Sequence, residues 1–164
     1  MDKSNLKFKV IDTRKEKKGK IATTIKLVVF SIGQLNVAFS INNIQKVINY
    51  TNVYSSGLTD MGITHLDNQE ITVIDIHKRL YKQSLFLEEN QEKFLVVAKN
   101  TNGEIFATIA LETPSLIDVS VSNIRTLPES YRQADTLSIA SHVIVIPQEN
   151  KNLTVFLLDV DSLI

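Results

Sequence analysis

Three histidines are the residues of this chain best suited to metal binding or general-base chemistry: His65, His77 and His142. None of them stands four residues from another, so the paired histidines of many helical zinc sites are missing. His65 and Asp67 share one face of a predicted strand, and together with His142 they suggest one hypothesis, a small metal-dependent enzyme. A surface histidine beside a turn is the simpler interpretation of His65.

Other motifs of catalysis are also missing from the sequence. It has five glycines, which form neither G-x-x-x-x-G-K-[ST] nor G-x-G-x-x-G, the patterns that bind phosphates. It has no cysteine, which excludes disulfides, thiolate metal sites and a thiol nucleophile. A strained G-x-S-x-G nucleophile turn is missing too, although spacing alone does not exclude a serine–histidine–acid set that assembles in space. The sequence therefore favours a binding protein without catalytic activity or a cofactor.

Positive charge is concentrated near the N-terminus. Residues 1–26 carry nine Lys/Arg and three Asp/Glu, although the net charge of the whole chain is zero. Such an arm can bind nucleic acid or a membrane surface, but this one lacks the repeated aromatic residues that stack on bases. We interpret residues 1–24 as a solvated extension and expect no nucleic-acid partner. One possible strand, Leu6 to Val10, is expected to pair with a sheet edge of the same molecule or of a neighbour.

The remaining chain has the composition of a β protein. The whole chain contains 19 Ile, 15 Val and 13 Thr against seven Ala, and β-branched side chains pack well on a pleated sheet. About ten short strands separated by turn signals predict small barrels or a sandwich. An acidic, polar stretch over residues 88–92 divides the chain into two expected subdomains, about 25–87 and about 93–164. We find no apolar run that could span a bilayer and no signal peptide, so we expect a cytoplasmic protein.

Local signals position the candidate residues within this pattern. Two strands, Gly62 to Leu66 and Glu70 to Ile74, are joined by a turn at Asp67-Asn68-Gln69, because Asp and Asn tolerate left-handed backbone geometry. Asp75 is suited to cap a helix that runs to Tyr81. A closing helical turn is expected over residues 159–164.

Four segments, taken in order, resemble the CheW family of chemotaxis coupling proteins. The family's opening strand pair resembles LVVFSIGQLNVAFSINNIQKVI (Leu27 to Ile48), and its central signature resembles MGITHLDNQEITVIDIHKRL (Met61 to Leu80). Its later segments are similar to VSVSNIRTLPE (Val119 to Glu129) and NLTVFLLDVDSLI (Asn152 to Ile164). The resemblance predicts a CheW-like domain over residues 25–164.

This resemblance implies a fold and a role. The fold is mostly β, with two small five-stranded SH3-like barrels, short helices and a shared core. The role is that of a non-enzymatic adaptor in chemotaxis or phototaxis two-component signalling. It implies two partners, the regulatory domain of a CheA-type histidine kinase and the cytoplasmic tip of a methyl-accepting chemoreceptor. The membrane is then reached only through the receptor.

The resemblance also implies where a partner binds. Family members hold receptor tips in a largely apolar groove between the barrels. Ile44 and Lys46 fall where the family has an aliphatic and an often acidic contact residue, and Ile109 matches an apolar position that faces the groove. The central signature adds further expected contacts: Gly62, Ile63, Leu66, Asp67 and Asn68. For the four aliphatic residues in this set, core packing is the alternative.

Two positions invert the charge of the family pattern. Asp67-Asn68 stands where the family usually has arginine–glycine, and Lys46 replaces an expected acid. Like charges opposed across an interface are costly, so we expect a partner whose polarity is also exchanged. The alternative is a divergent protein that sequesters or inhibits the kinase or the receptor without coupling them.

Overall fold

β-Strands dominate the computed structural model, which describes residues 9–11, 23–86, 89–133 and 138–164. The strands in these ranges are β1 (Lys9–Ile11), β2 (Thr24–Ile32), β3 (Leu35–Ser40), β4 (Ile44–Asn49), β5 (Met61–Leu66), β6 (Gln69–Ile74), β7 (Phe94–Lys99), β8 (Ile105–Ala110), β9 (Ser115–Ser120), β10 (Ile124–Thr126), β11 (Ala140–Pro147) and β12 (Asn152–Leu158). The helical segments are short: α1 (Ile76–Tyr81), α2 (Glu129–Arg132) and two 3₁₀ turns, Ile41–Asn43 and Val121–Asn123. The predicted β-rich fold with short helices is confirmed.

The strands form two sheets, each of which draws on both halves of the chain. The larger sheet has the order β1-β9-β2-β3-β12-β11-β10, and the smaller sheet has the order β4-β7-β8-β6-β5. The chain passes from the larger to the smaller sheet through the 3₁₀ turn Ile41–Asn43 and returns over residues 111–114. The expected subdomain boundaries, 25–87 and 93–164, therefore do not coincide with the sheets. The smaller sheet has the expected five strands, whereas β1 and β10 bring the larger one to seven.

Strand β1 extends one edge of the larger sheet. It pairs in parallel with β9, with Lys9 opposite Ser115 and Ile11 opposite Ile117. This pairing is the contact within one molecule that was expected for the N-terminal strand. Residues 6–8 of the predicted strand lie outside the described residues. A short parallel strand at an edge covers backbone groups that otherwise stay open to pairing.

Buried apolar side chains form three clusters, and one of them joins the two sheets. The central cluster takes side chains from both sheets, including Phe30 and Phe39 of the larger and Phe106 of the smaller. Each sheet also has a cluster on its other face, around Ile117 and around Leu95 respectively. Residues on alternate sides of one strand therefore enter different clusters, as the two-residue period of a strand requires. The shared core implied by the family resemblance is the central cluster.

Helix α1 begins at the predicted cap. The Asp75 side chain is fully buried, and its carboxylate accepts hydrogen bonds from the N–H of Lys78 at 2.9 Å and the N–H of Leu85 at 2.5 Å. The Ser84 hydroxyl donates to the same carboxylate at 3.2 Å. One buried acid thus caps the helix and ties down the segment that follows it.

The C-terminal segment forms a single hydrogen-bonded turn and no helix: the Ser162 N–H donates to the Asp159 carbonyl at 3.0 Å. The Asp159 carboxylate accepts hydrogen bonds from the N–H of Asp161 at 3.0 Å and the hydroxyl of Ser162 at 2.9 Å. A side chain that bonds the backbone two residues further on favours a turn over a helix. This turn buries Val160 and Leu163 in the central cluster.

Candidate functional site

An ion pair joins the two open edges of the smaller sheet. The Nζ atom of Lys46 on β4 lies 2.6 Å from the Oδ2 atom of Asp67, which follows β5. Strands β4 and β5 stand at opposite ends of the sheet order, so this contact means that the sheet curls toward a closed barrel. The side chain of Asp67 is 80% exposed and that of Lys46 is 30% exposed. The pair therefore presents a carboxylate to solvent above a largely covered lysine.

Asp67 and Asn68 form the two-residue turn between β5 and β6. Leu66 pairs with Gln69 across the turn, and the φ angles of Asp67 and Asn68 are 51° and 64°. Two-residue hairpin turns of type I′ require positive φ at both central residues, and Asp and Asn adopt it more readily than most residues. The turn lies where Asp67-Asn68-Gln69 was predicted to form one, but it takes two residues, because Gln69 already pairs with Leu66. It holds the Asp67 carboxylate beside the Nζ atom of Lys46.

Strand β5 alternates between exposed and buried side chains. Ile63 is 40% exposed, whereas Thr64 is buried and its hydroxyl donates to the Asn52 carbonyl at 2.7 Å. Leu66 is partly buried against the cluster of the smaller sheet. Ile63 therefore faces solvent on the outside of the barrel, and Leu66 lies at its open end.

Gly62 allows a neighbouring segment to lie directly on β5. A Cβ atom at this position would stand 2.7 Å from Val53 Cγ1 and 3.1 Å from both the Tyr54 carbonyl oxygen and Phe86 Cζ. These distances are too short for an unstrained side chain. The glycine of the central signature is thus a packing residue here, buried beneath the segment that carries Tyr54.

Besides Gly62, two of the predicted contact residues are buried. Ile44 is 0% exposed in the central cluster, and Ile109 is 1% exposed in the cluster of the smaller sheet. Neither side chain reaches the surface in this conformation, which agrees with the core-packing alternative. The predicted contact residues that are exposed or partly exposed are Lys46, Ile63, Leu66, Asp67 and Asn68, and among them Ile63 stands opposite Tyr54, four residues before Asp67. A cavity of about 230 Å³ beside the pair is lined by Lys46, Leu66 and Asp67 among others.

The structure does not assemble the hypothetical metal site. His65 is exposed on β5 of the smaller sheet, with its Nε2 atom 3.9 Å from Glu70 Oε2. His142 lies on β11 of the larger sheet, where its Nδ1 atom is 2.7 Å from Ser141 Oγ. Within the described ranges, no three acidic or histidine side chains lie close enough to share a metal ion. Asp67 is instead paired with Lys46, so these three residues have no common site.

A buried lysine and a tyrosine lie near the other end of β4. Lys93 is 8% exposed, its Nζ donates to the Leu85 carbonyl at 2.8 Å, and it stands 4.1 Å from the centre of the Tyr50 ring. Burial raises the pKa of the Tyr50 phenol, and the negative charge of Asp75 raises it further. This arrangement has no signature in the sequence, because the residues are distant in the chain.

A family model described as a CheW-like domain matches residues 26–164. The chain belongs to the CheW-like family. No curated protein matches the sequence significantly. None of the helices among the described residues is long and apolar enough to cross a lipid bilayer.

The CheW-like fold is also seen in a solved structure. The crystal structure of the scaffolding protein TtCheW from Thermoanaerobacter tengcongensis matches with a TM-score of 0.64 and 16% sequence identity. The match covers 89% of this chain and 91% of that one. At this identity the likeness shows the fold alone. The two-sheet CheW-like architecture thus persists although most side chains differ.

Proposed function

We propose that this CheW-like chain is a non-enzymatic cytoplasmic adaptor that couples the regulatory domain of a CheA-type histidine kinase to the cytoplasmic tip of a chemoreceptor. The family match over residues 26–164 carries this proposal, and the shared two-sheet fold supports it. The signalling it serves is chemotaxis or phototaxis through a two-component system. The proposed role needs protein-binding surfaces and no catalytic centre.

The surface around the Lys46–Asp67 pair is the proposed partner site. Ile63 offers an exposed apolar side chain, and Leu66 offers a half-buried one beside the small cavity. Asp67 adds an exposed carboxylate, and Asn68 shapes the turn. Burying the apolar part against a partner helix contributes roughly 25 cal/mol per Å² before the costs of ordering.

The polarity of this surface favours a basic partner residue. Asp67 is far more exposed than Lys46, so an approaching protein meets the carboxylate first. An arginine or lysine on the partner then gains a charge-assisted hydrogen bond, whereas an acidic residue is repelled. This supports the expectation that the partner of this adaptor has exchanged polarity at the contact.

Binding of the purified chain to the kinase regulatory domain and to a receptor-tip fragment tests the proposal. We expect isothermal titration calorimetry to show binding to each protein separately, and gel filtration to show a ternary complex. Asp67→Arg should weaken binding to at least one partner, whereas Glu149→Arg in the distant β11–β12 turn should leave both affinities unchanged. Absence of binding at roughly tens of micromolar contradicts the adaptor role.

The alternative role, sequestration of the kinase or the receptor, predicts a different effect on kinase autophosphorylation. A coupling protein raises the autophosphorylation of the kinase when the receptor is present, whereas a sequestering protein lowers it. The Lys46–Asp67 ion pair supports this alternative, because its charges are the reverse of those expected from the family pattern. Kinase autophosphorylation measured with and without the chain separates the two roles.

A further inference from the structure

Exposed apolar side chains are concentrated in one short stretch of the chain. Tyr54 is 67% exposed, Leu58 84%, Met61 43% and Ile63 40%. Met61 and Ile63 lie two residues apart on β5 and therefore point to the same side of the sheet. Tyr54 stands directly opposite Ile63, so its ring joins them on that face. A contiguous exposed apolar surface of this kind usually marks an interaction site.

A groove adjoins this surface at Tyr54. Its volume is about 720 Å³, which is in the range of sites that hold peptides and small ligands. Three aromatic residues line it together with three amide residues, two glutamates, a valine and a lysine. Its lining comprises Asn49, Tyr50, Asn52, Val53, Tyr54, Phe86, Glu89, Gln91, Glu92 and Lys93. We call this feature the Tyr54 groove.

The Tyr54 groove is held in place before any partner binds. The Tyr54 N–H donates to the Ile63 carbonyl at 2.8 Å, and the Ile63 N–H donates to the Tyr54 carbonyl at 2.9 Å. Gly62 permits this close approach, because any side chain there would meet Val53. The backbone that carries the exposed Tyr54 side chain is therefore bonded to β5, and binding does not have to order that backbone.

The charge of the groove is acidic. Glu89 and Glu92 are exposed at its rim. The lining cation, Lys93, is buried, and its ammonium group already bonds the Leu85 carbonyl and lies over the Tyr50 ring. A partner that enters the groove thus meets two carboxylates and an open tyrosine face, both of which attract a lysine or arginine side chain.

We propose that the Tyr54 groove binds an extended segment of a partner protein in which basic side chains alternate with apolar ones. The basic side chains meet Glu89, Glu92 and the Tyr54 ring, and the apolar ones cover Met61 and Ile63. Asn49, Asn52 and Gln91 also line the groove, and we expect their side-chain amides to bond the backbone of the segment. This inference goes beyond the proposed adaptor function, since the groove can bind such a segment whether or not the chain couples a kinase to a receptor.

A labelled synthetic peptide that alternates arginine and leucine is the probe for this groove. Fluorescence anisotropy should show saturable binding that weakens with added salt, and a matched glutamate–leucine peptide should not bind. Glu89→Gln with Glu92→Gln should weaken binding by about tenfold, the loss of one charge-assisted hydrogen bond. Glu112→Gln with Glu149→Gln removes the same charge from exposed positions outside the groove and is the matched control.

A second pair of variants separates the aromatic contribution from charge. Tyr54→Ser should also weaken peptide binding by about tenfold, whereas Tyr131→Ser, at a similarly exposed tyrosine, should leave it unchanged. Thermal melts check that all variants fold. Equal affinities of the groove variants and their controls overturn the proposal, as does equal binding of the acidic peptide.

Self-association provides a further test. Sedimentation velocity that shows a dimer lost on Glu89→Gln with Glu92→Gln assigns the groove to a second copy of this chain and overturns a separate peptide partner. A chain that stays monomeric while it binds the basic peptide supports the proposal. Neither result depends on kinase binding, so failure here is distinguishable from failure of the adaptor role.

Discussion

Lys46 of β4 and Asp67 of the β5–β6 turn form an ion pair whose polarity is the reverse of the pattern expected for the family. The two positions that differ from the family pattern, 46 and 67, therefore form one feature of the structure. Either change alone would put like charges across a gap of a few ångströms, at a cost in stability. Together they keep the attraction between the two edges of the smaller sheet and change the charge that the surface presents.

Reversing the pair tests whether the two residues act together. Lys46→Glu and Asp67→Arg should each lower the free energy of unfolding by roughly 0.5 kcal/mol, which is typical of an exposed pair. The double variant should recover most of that loss, because it restores opposite charges. Urea unfolding of the four proteins gives the coupling energy.

The control for this cycle is Lys151→Glu, which reverses an exposed charge in the turn between β11 and β12. It should change stability little, and combining it with Asp67→Arg should give additive effects. If the double variant Lys46→Glu/Asp67→Arg loses as much unfolding free energy as the two single variants together, the 2.6 Å contact does not couple the residues.

Gly62→Ala should destabilise the protein by about 1–3 kcal/mol, as overpacking commonly does. The new Cβ would stand 2.7 Å from Val53 Cγ1 and 3.1 Å from the Tyr54 carbonyl oxygen. Adding Val53→Ala removes the nearest atom and should recover part of the loss. Thermal unfolding measures both effects, and an unaltered melting temperature for Gly62→Ala would contradict the close approach seen here.

The Asn68 position tests the turn geometry. Asn68→Gly should keep or raise stability by a few tenths of a kcal/mol, because glycine adopts a positive φ without strain. Asn68→Val should cost about 1–2 kcal/mol, because a β-branched residue is poorly suited to φ of 64°. Chemical denaturation measures both variants. Equal stability of the two would rule out the type I′ turn.

Tyr50 predicts a loss of stability at alkaline pH. Its folded-state pKa is raised, chiefly by burial and also by the charge of Asp75. The neutral phenol is thus favoured in the folded state, so its contribution is fully present below the ordinary tyrosine pKa of about 10 and is lost as the pH rises through the higher folded value. The unfolding free energy of Tyr50→Phe should fall less steeply over this range than that of the parent chain. Parallel slopes for the two proteins would contradict the shift.

Local sequence signals predicted the elements of this fold well. The β-branched composition predicted strands, Asp75 predicted the start of α1, and Asp67-Asn68-Gln69 predicted a turn that the structure closes with its first two residues. Each of these features depends on residues that are close in the chain, where backbone preference and short hydrogen bonds decide the outcome. At Asp159 the same local reasoning did not separate a helix from a single turn, because a carboxylate beside a chain end can cap a helix or close a turn.

The candidate site could be predicted only in part. The motif around Gly62 indicated β5 as part of a partner site, which stays a prediction. Ile44 and Ile109, proposed as contacts with core packing as the alternative, are buried. An aliphatic residue in a strand looks the same whether it faces a core or a partner. The exposed Tyr54 gave no signal, because residues 49–61 show no periodic pattern.

By itself, the sequence determined that this chain is a β protein of the CheW-like family, with its turns and its one capped helix in place. Only the tertiary structure decided which strands share a sheet, that Lys46 meets Asp67, and that Tyr54 and Glu92 border one groove. The physical reason is that alternation and capping act between near neighbours in the chain, whereas sheet order and surface shape depend on contacts between distant residues. Those contacts are set when the two sheets bury their common core.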